Sequence, residues 1–526
     1  MMTGQKVGAR RRRHAGAETG EEGGMGEATG KVVLALDTGT TSGRTLVIDA
    51  RGAVLASDQR EVGLSTPHPG WVEQDAEELW QAQSGTARAA LKQAGLTAAD
   101  VAGVGIANQR ETTIIWDRKT SAPVAPAIVW QDRRTADFCE QLRGGGAEAL
   151  VRRKTGLLLD PYFSGTKIRW LLDNVPGVRE RAEAGDLAFG TVDSWMAWRL
   201  SGGRRHVTDA TNASRTLLYD IREGRWDDEL LELFGVPRTL LPEVVDSSGV
   251  VGEADPAVLG GAVPIAGMAG DQQAALFGQA CTQRGMIKVT YGTGCFLLLN
   301  TGDEPAAAPA GLVSTVALQR DGRRTYALEG SVFIGGAAVQ WLRDGLGIIE
   351  NSSETDKLAQ SVASSDGVVF VPALAGLGAP YWDPSARGGI FGLTRGTTSA
   401  LVARASLEGI AFQVADLYQA EAEGADVAPA EVRADGGAAR SDLLLQFQAD
   451  LLGVPVVRAG QPEATAFGAA WLAGLATGVW SSEEEVAALW TAGAGFAPAV
   501  EADADRLRRR WRAAVEAVRG FARATQ

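Results

Sequence analysis

Cysteine and histidine are both scarce, with three of each in 526 residues. Cys139, Cys281 and Cys295 lie too far apart in the sequence to suggest a disulfide framework or a cysteine zinc site, which fits a reducing compartment, the cytoplasm. His14, His68 and His206 stand alone, so a histidine base has few candidates and carboxylates become the expected bases. No run is long and apolar enough to span a bilayer, and membrane insertion is not expected. Excess positive charge is also missing: 51 Lys and Arg against 64 Asp and Glu leave a net charge of −13. That balance argues against a nucleic-acid partner or an anionic membrane surface. Any phosphate site must therefore be local.

What remains is the composition of a soluble globular protein, 45% hydrophobic and 22% charged. The length suits two to four domains with sizeable cores. Residues 1–30 join Arg10-Arg11-Arg12-Arg13 to Gly and Glu with almost no large apolar side chain, and are expected to form a disordered tail. No apolar stretch follows the arginines, so they do not read as an export signal.

The ordered chain opens with an apolar run, Lys31 to Asp37, a turn cluster, Thr38 to Gly43, and a second apolar run, Arg44 to Asp49, which together predict a β-hairpin. The plan recurs at Met286 to Thr290, Tyr291-Gly292-Thr293-Gly294 and Cys295 to Leu299, suggesting a duplicated fold. Strand-like runs at 101–108, 263–268 and 368–372 alternate with helix-like stretches at 76–94 and 441–452, which predicts α/β layering. The expected boundary lies near residue 275, giving domains 31–274 and 275–526. Each Gly/Thr turn has two readings. One is an ordinary tight turn; the other is a nest of N–H groups and hydroxyls that cradles phosphate oxygens. Two such loops, one per half, favour the second.

Several segments then accumulate in order: Ala35-Leu36-Asp37-Thr38-Gly39-Thr40-Thr41-Ser42, Asn108-Gln109-Arg110-Glu111-Thr112-Thr113, and Asp160 to Lys167. They continue with Gly270-Asp271-Gln272-Gln273, Tyr291 to Phe296, Gly378 to Asp383, and Asp435-Gly436-Gly437. With these the chain resembles the FGGY carbohydrate kinases, above all the members that act on glycerol. The resemblance implies two ribonuclease H-like domains, as in actin, hexokinase and the Hsp70 ATPase, flanking a cleft where nucleotide and polyol meet. It implies ATP and Mg²⁺ as cofactors, glycerol as substrate, sn-glycerol 3-phosphate as product and a homo-oligomer, dimer or tetramer.

Asp271 follows a strand candidate, where a carboxylate can either cap the next helix or project into a cleft. The resemblance makes it the general base that accepts the hydroxyl proton during in-line phosphoryl transfer. Adjacent Arg110 and Glu111 are usually a solvated pair of little value, but the two together also suit the donors and acceptors of a polyol, and the resemblance assigns them to glycerol. Tyr162 and Gln272 are expected to add neutral contacts. Trp130 and Phe296 are expected to face the carbon backbone, although either alone reads better as core. Asp37 is the implied Mg²⁺ position, through water, since a hard cation that keeps its hydration needs only one or two carboxylates. Thr40, Thr41, Ser42 and the catalytic Arg44 are expected on the phosphates from one side and Thr293 from the other. Gly336, Gln340, Gly437 and Ser441 are expected to border the adenosine, with Ser441 also a plausible helix cap.

The chain also departs from the family pattern. Ser441 stands where many members have Asn. Leu259-Gly260-Gly261-Ala262-Val263 lacks the Lys and Arg with which regulated members bind fructose bisphosphate, and Pro498 to Asp503 poorly matches their docking segment for a phosphotransferase-system regulator. Neither control is expected. The rival activities are phosphorylation of a larger polyol or ketose, and a nucleotide-dependent binding protein on the same fold. Trp130 beside Arg110 and Glu111 favours a small substrate.

Overall fold

A computed structural model describes residues 31–499 and 504–525. The expected tail at 1–30 and most of the segment from Pro498 to Asp503 lie outside the described residues. Two mixed sheets carry the architecture. The first comprises β1 (Val32–Thr38), β2 (Ser42–Ile48), β3 (Val54–Glu61), β4 (Val101–Asn108), β5 (Ser248–Glu253) and β6 (Pro264–Gly270), in the order β5-β6-β4-β1-β2-β3. The second comprises β7 (Ile287–Tyr291), β8 (Cys295–Gly302), β9 (Val313–Arg320), β10 (Arg323–Val332), β11 (Val432–Asp435), β12 (Val456–Ala459) and β13 (Ala492–Phe496), in the order β9-β10-β8-β7-β11-β12-β13.

The duplication read from the two hairpins extends through both sheets. From β3 to β5 the pairings run antiparallel, antiparallel, parallel, parallel, antiparallel. From β10 to β13 they repeat in the same sequence. Only β9 is extra. Such a sheet needs cover on both faces around its parallel strands, which explains why β1 and β4 are almost continuously apolar and buried.

The expected helices form where their periodicity places them. The helix α1 (Ala76–Ala94) is capped by Asp75, whose side chain accepts from the Glu77 N–H, and ends at Gly95 with φ 70°. In the second half α5 (Asp442–Leu452) starts at Ser441, whose hydroxyl accepts from the Leu444 N–H at 3.1 Å. Between them come α2 (Asp271–Gly278), α3 (Ala337–Asp344) and the long α4 (Ser399–Ala425).

One helix crosses the division suggested by sequence. Although α6 (Ala464–Thr477) follows β12 in the second half, it lies on β1, β4 and β6 of the first sheet, with Phe467, Ala470 and Trp471 in one core with Val33 and Ala269. It crosses α2 so closely that a Cβ on Gly468 would sit 1.9 Å from the Ala274 carbonyl oxygen. Only glycine fits there. The segment between β4 and β5 packs a separate core around Phe163, Leu187 and Leu217, which extends to Val313 and Tyr326 of the second sheet. The junction between halves is therefore held on both sides.

Candidate functional site

Three neighbouring parallel strands of the first sheet end together. Thr38 on β1 pairs with Asn108 on β4, and Asn108 pairs with Gly270 on β6. Asp37, Arg110 and Asp271 thus arrive at one edge, the carboxyl ends of parallel strands, where open α/β sheets place their ligands. Asp271 opens α2 as its first residue, with Gly270 at the cap position. Its carboxylate is 30% exposed, and Oδ1 stands 3.1 Å from Arg110 Nε.

Arg110 and Glu111 do not act as each other's main partner. Arg110 donates through Nη1 and Nη2 to both carboxylate oxygens of Glu329 on β10, at 2.5 and 2.8 Å. Glu111 accepts from Arg215 Nε at 2.6 Å, and Arg215 Nη2 reaches Glu329 at 3.1 Å. All four side chains are buried. Two cations and two anions so arranged balance one another's charge away from water, although Arg215 Nη1 has no hydrogen-bond partner. Burial pushes the Glu329 carboxyl up, but Arg110 and Arg215 outweigh it and hold the group at about 2. The surface-pair reading of Arg110-Glu111 is thereby excluded. Glu111 also has a left-handed backbone, φ 61°, a conformation uncommon for a non-glycine residue and one that clusters at functional sites.

Tyr162 stands over this group, its ring 5.8 Å from the Arg215 guanidinium carbon and edge-on to Trp130 at 5.5 Å. Trp130 donates from Nε1 to Thr40 Oγ1 at 3.0 Å, which joins the expected polyol pocket to the first phosphate hairpin. Gln272 lies next to Asp271, its Oε1 accepting from Lys288 Nζ. Phe296 leans on a small cluster with Leu276 and Ala317, which agrees with its core reading.

Burial raises the Asp37 carboxyl to about 6, with the negative charge of Asp271 adding to the effect and Arg44 opposing it. Burial also raises Asp271, against the opposing pull of Arg110 and Lys288. Arg44 is ion-paired with Glu463, just before α6, and bonded to Gln59. No group of three or more His, Cys, Asp or Glu among the described residues is placed to hold a metal. A single carboxylate raised by a like charge still suits a cation that keeps most of its waters.

On the other side, the Gly292–Gly294 turn is tied to the start of α3: Gly336 N–H donates to the Gly292 carbonyl and Gly335 N–H to the Thr293 carbonyl, both at 2.8 Å. Gly436, with φ 92°, passes so near β7 that a Cβ would lie 2.6 Å from the Tyr291 carbonyl oxygen, while Gly437 faces open space. Thr293, Gly336 and Gly437 are thus gathered in one place. Gln340 is exposed one turn along α3. Ser441 is committed locally, capping α5 and donating to Asp356.

Sequence reasoning missed Arg215, Glu329 and Lys288. Glu329 and Lys288 did leave a signal, each being a charge set in a short apolar run, Tyr326-Ala327-Leu328-Glu329 and Met286-Ile287-Lys288-Val289. Buried charges are rare unless paired. Arg215 left none, since its partners are remote in sequence.

The doubled sheet is that of a two-domain ATPase fold, and here its strand ends carry a carboxylate beside a charged pocket. The model of the N-terminal domain of the FGGY family of carbohydrate kinases matches residues 32–278, and that of its C-terminal domain residues 287–477. Glycerol kinase of Dechloromonas aromatica is 56% identical over 95% of this chain and 100% of its own. That of Deinococcus radiodurans is 57% identical over 93% and 98%. Among solved structures, Plasmodium falciparum glycerol kinase with ADP superposes with a TM-score of 0.86, at 32% identity over 93% of this chain and 98% of that one. The chain belongs to the FGGY family of carbohydrate kinases.

Proposed function

We propose that this protein transfers the γ-phosphoryl group of ATP to glycerol, giving sn-glycerol 3-phosphate and ADP. The observation that carries the reading is the partly exposed Asp271 carboxylate held 3.1 Å from Arg110 at the strand ends, in a chain 56–57% identical to glycerol kinases over most of its length. A larger polyol or a ketose is not favoured by those relatives.

In this reading Arg110, Glu111, Tyr162 and Gln272 hold the polyol, with Trp130 along its carbons. Asp271 accepts the hydroxyl proton as the oxygen attacks the γ-phosphorus, and the bond from that phosphorus to the β–γ bridging oxygen breaks. The raised pKa of Asp271 makes it a stronger proton acceptor than an ordinary aspartate. Thr40, Thr41, Ser42 and Arg44 face the phosphates from the first hairpin and Thr293 from the second; Gly336, Gln340, Gly437 and Ser441 border the nucleoside. Asp37 would hold Mg²⁺ through water, and the ion would supply charge neutralisation on the phosphates. Domains at 31–274 and 275–526, assembly as a dimer or tetramer and a cytoplasmic site belong to the same proposal. The last is supported by Cys139, Cys281 and Cys295, which are free and buried.

A screen that follows ADP release with glycerol, dihydroxyacetone, xylulose and erythritol tests the reading. Glycerol is expected to give the highest kcat/KM, and preference for xylulose or erythritol refutes the substrate.

A further inference from the structure

Lys288 is a fully buried ammonium that none of the roles above uses. It sits in the middle of β7, and its Nζ donates to Gln272 Oε1 at 2.5 Å and Thr290 Oγ1 at 2.9 Å. Thr290 in turn bonds Asp435, which also accepts from Gln279 Nε2 at 2.7 Å. Lys288 therefore stands between the first turn of α2, which carries Asp271 and Gln272, and the strands that lead to Thr293 and Gly437.

An ammonium has only donors, whereas a primary amide has one face of each kind. Whatever faces Lys288 must accept, so the amide oxygen of Gln272 is turned toward it and the Nε2 hydrogens point the other way. No protein acceptor among the described residues takes those hydrogens, although Gln272 itself is buried. We propose that Lys288 is a positioning residue that fixes the Gln272 amide so that it presents N–H donors, and no acceptor, to a hydroxyl oxygen of the polyol. The inference deepens the glycerol-phosphorylating reading and rests on it. The selection it implies is for substrates with a hydroxyl at that place, because a deoxy analogue leaves the donor unpaired.

The test is steady-state kinetics on the full chain, with wild type, Lys288→Met, Gln272→Leu and the double variant. Wild-type turnover of glycerol comes first, and its absence removes the functional reading itself. With that established, Lys288→Met is expected to raise KM for glycerol on the order of 10-fold, the upper worth of one neutral hydrogen bond, while KM for ATP stays within about twofold. The double variant should be no worse than Gln272→Leu alone, since both act through one amide. Losses that multiply, or a KM for glycerol unchanged in Lys288→Met, overturn the proposal. Gln272→Glu gives a second reading if the methionine variant does not fold, because it keeps a partner for Lys288 but offers only acceptors. It should also raise KM for glycerol and reduce discrimination against 1,2- and 1,3-propanediol; wild-type values for both contradict the donor assignment.

Discussion

Arg110, two residues beyond β4 of the first sheet, is bound through both Nη atoms to Glu329 on β10 of the second. The side chain expected to grip the substrate is thus also a tie between the two halves, and the carboxylate that orients it comes from a strand some 200 residues further along. Removing the charge of Glu329 leaves two buried guanidiniums with one fewer anion.

Glu329→Gln is therefore expected to cost about 3–5 kcal/mol, the range for breaking a buried ion pair from one side. It should also weaken glycerol binding through misplacement of Arg110. Thermal melting together with KM for glycerol checks this, and a melting temperature within error of wild type contradicts it.

The acid limb of the kcat/KM profile follows Asp271. Its folded pKa is raised by burial above the ordinary 3.8, and the base works only when ionised. Activity should accordingly fall as pH drops through a midpoint above 3.8, measured with glycerol limiting. A limb at or below the ordinary value contradicts the burial account.

Close approach of α2 and α6 rests on Gly468. In Gly468→Ala the new Cβ meets the Ala274 carbonyl oxygen at 1.9 Å, and backbone cannot yield as a side chain does. The helices must separate, at a cost of about 1–3 kcal/mol. Denaturant unfolding measures the loss. Because α2 carries Asp271, a fall in kcat is expected with it.

The stretch from Leu259 to Val263 places Gly260 as the left-handed end of a short helix and Gly261 against Ala98. Beside this stretch Arg88 donates to the Val258 carbonyl at 3.4 Å and Arg204 pairs with Asp255 at 2.8 Å. A bisphosphate needs several cationic partners to replace its hydration. Fructose bisphosphate is therefore expected to leave the initial rate unchanged, and saturable inhibition relieved by salt overturns that expectation.

The repeated hairpins, the helix at 76–94 and the strand ends at Asp37 and Asp271 were legible in sequence because each is set by residues within a few positions. The Arg110–Glu329–Arg215–Glu111 group was not, since its members meet only after both sheets have formed. The placement of α6 on the first sheet was equally hidden: its apolar faces fit either sheet, and the glycines at 105, 267, 278 and 468 mark where another backbone approaches. Ser441 shows the converse, a position whose local reading as a cap is the one the structure uses.

The central claim is that Asp271 accepts the proton when ATP phosphorylates glycerol. It is tested most directly by comparing wild type with Asp271→Asn, following sn-glycerol 3-phosphate formation and ATP binding in parallel. Wild type is expected to make this product and the variant to lose about 10²–10⁴ in kcat, the worth of a general base, while its ATP affinity is retained. Near-normal turnover in Asp271→Asn, or ADP release from wild type without glycerol 3-phosphate, contradicts it.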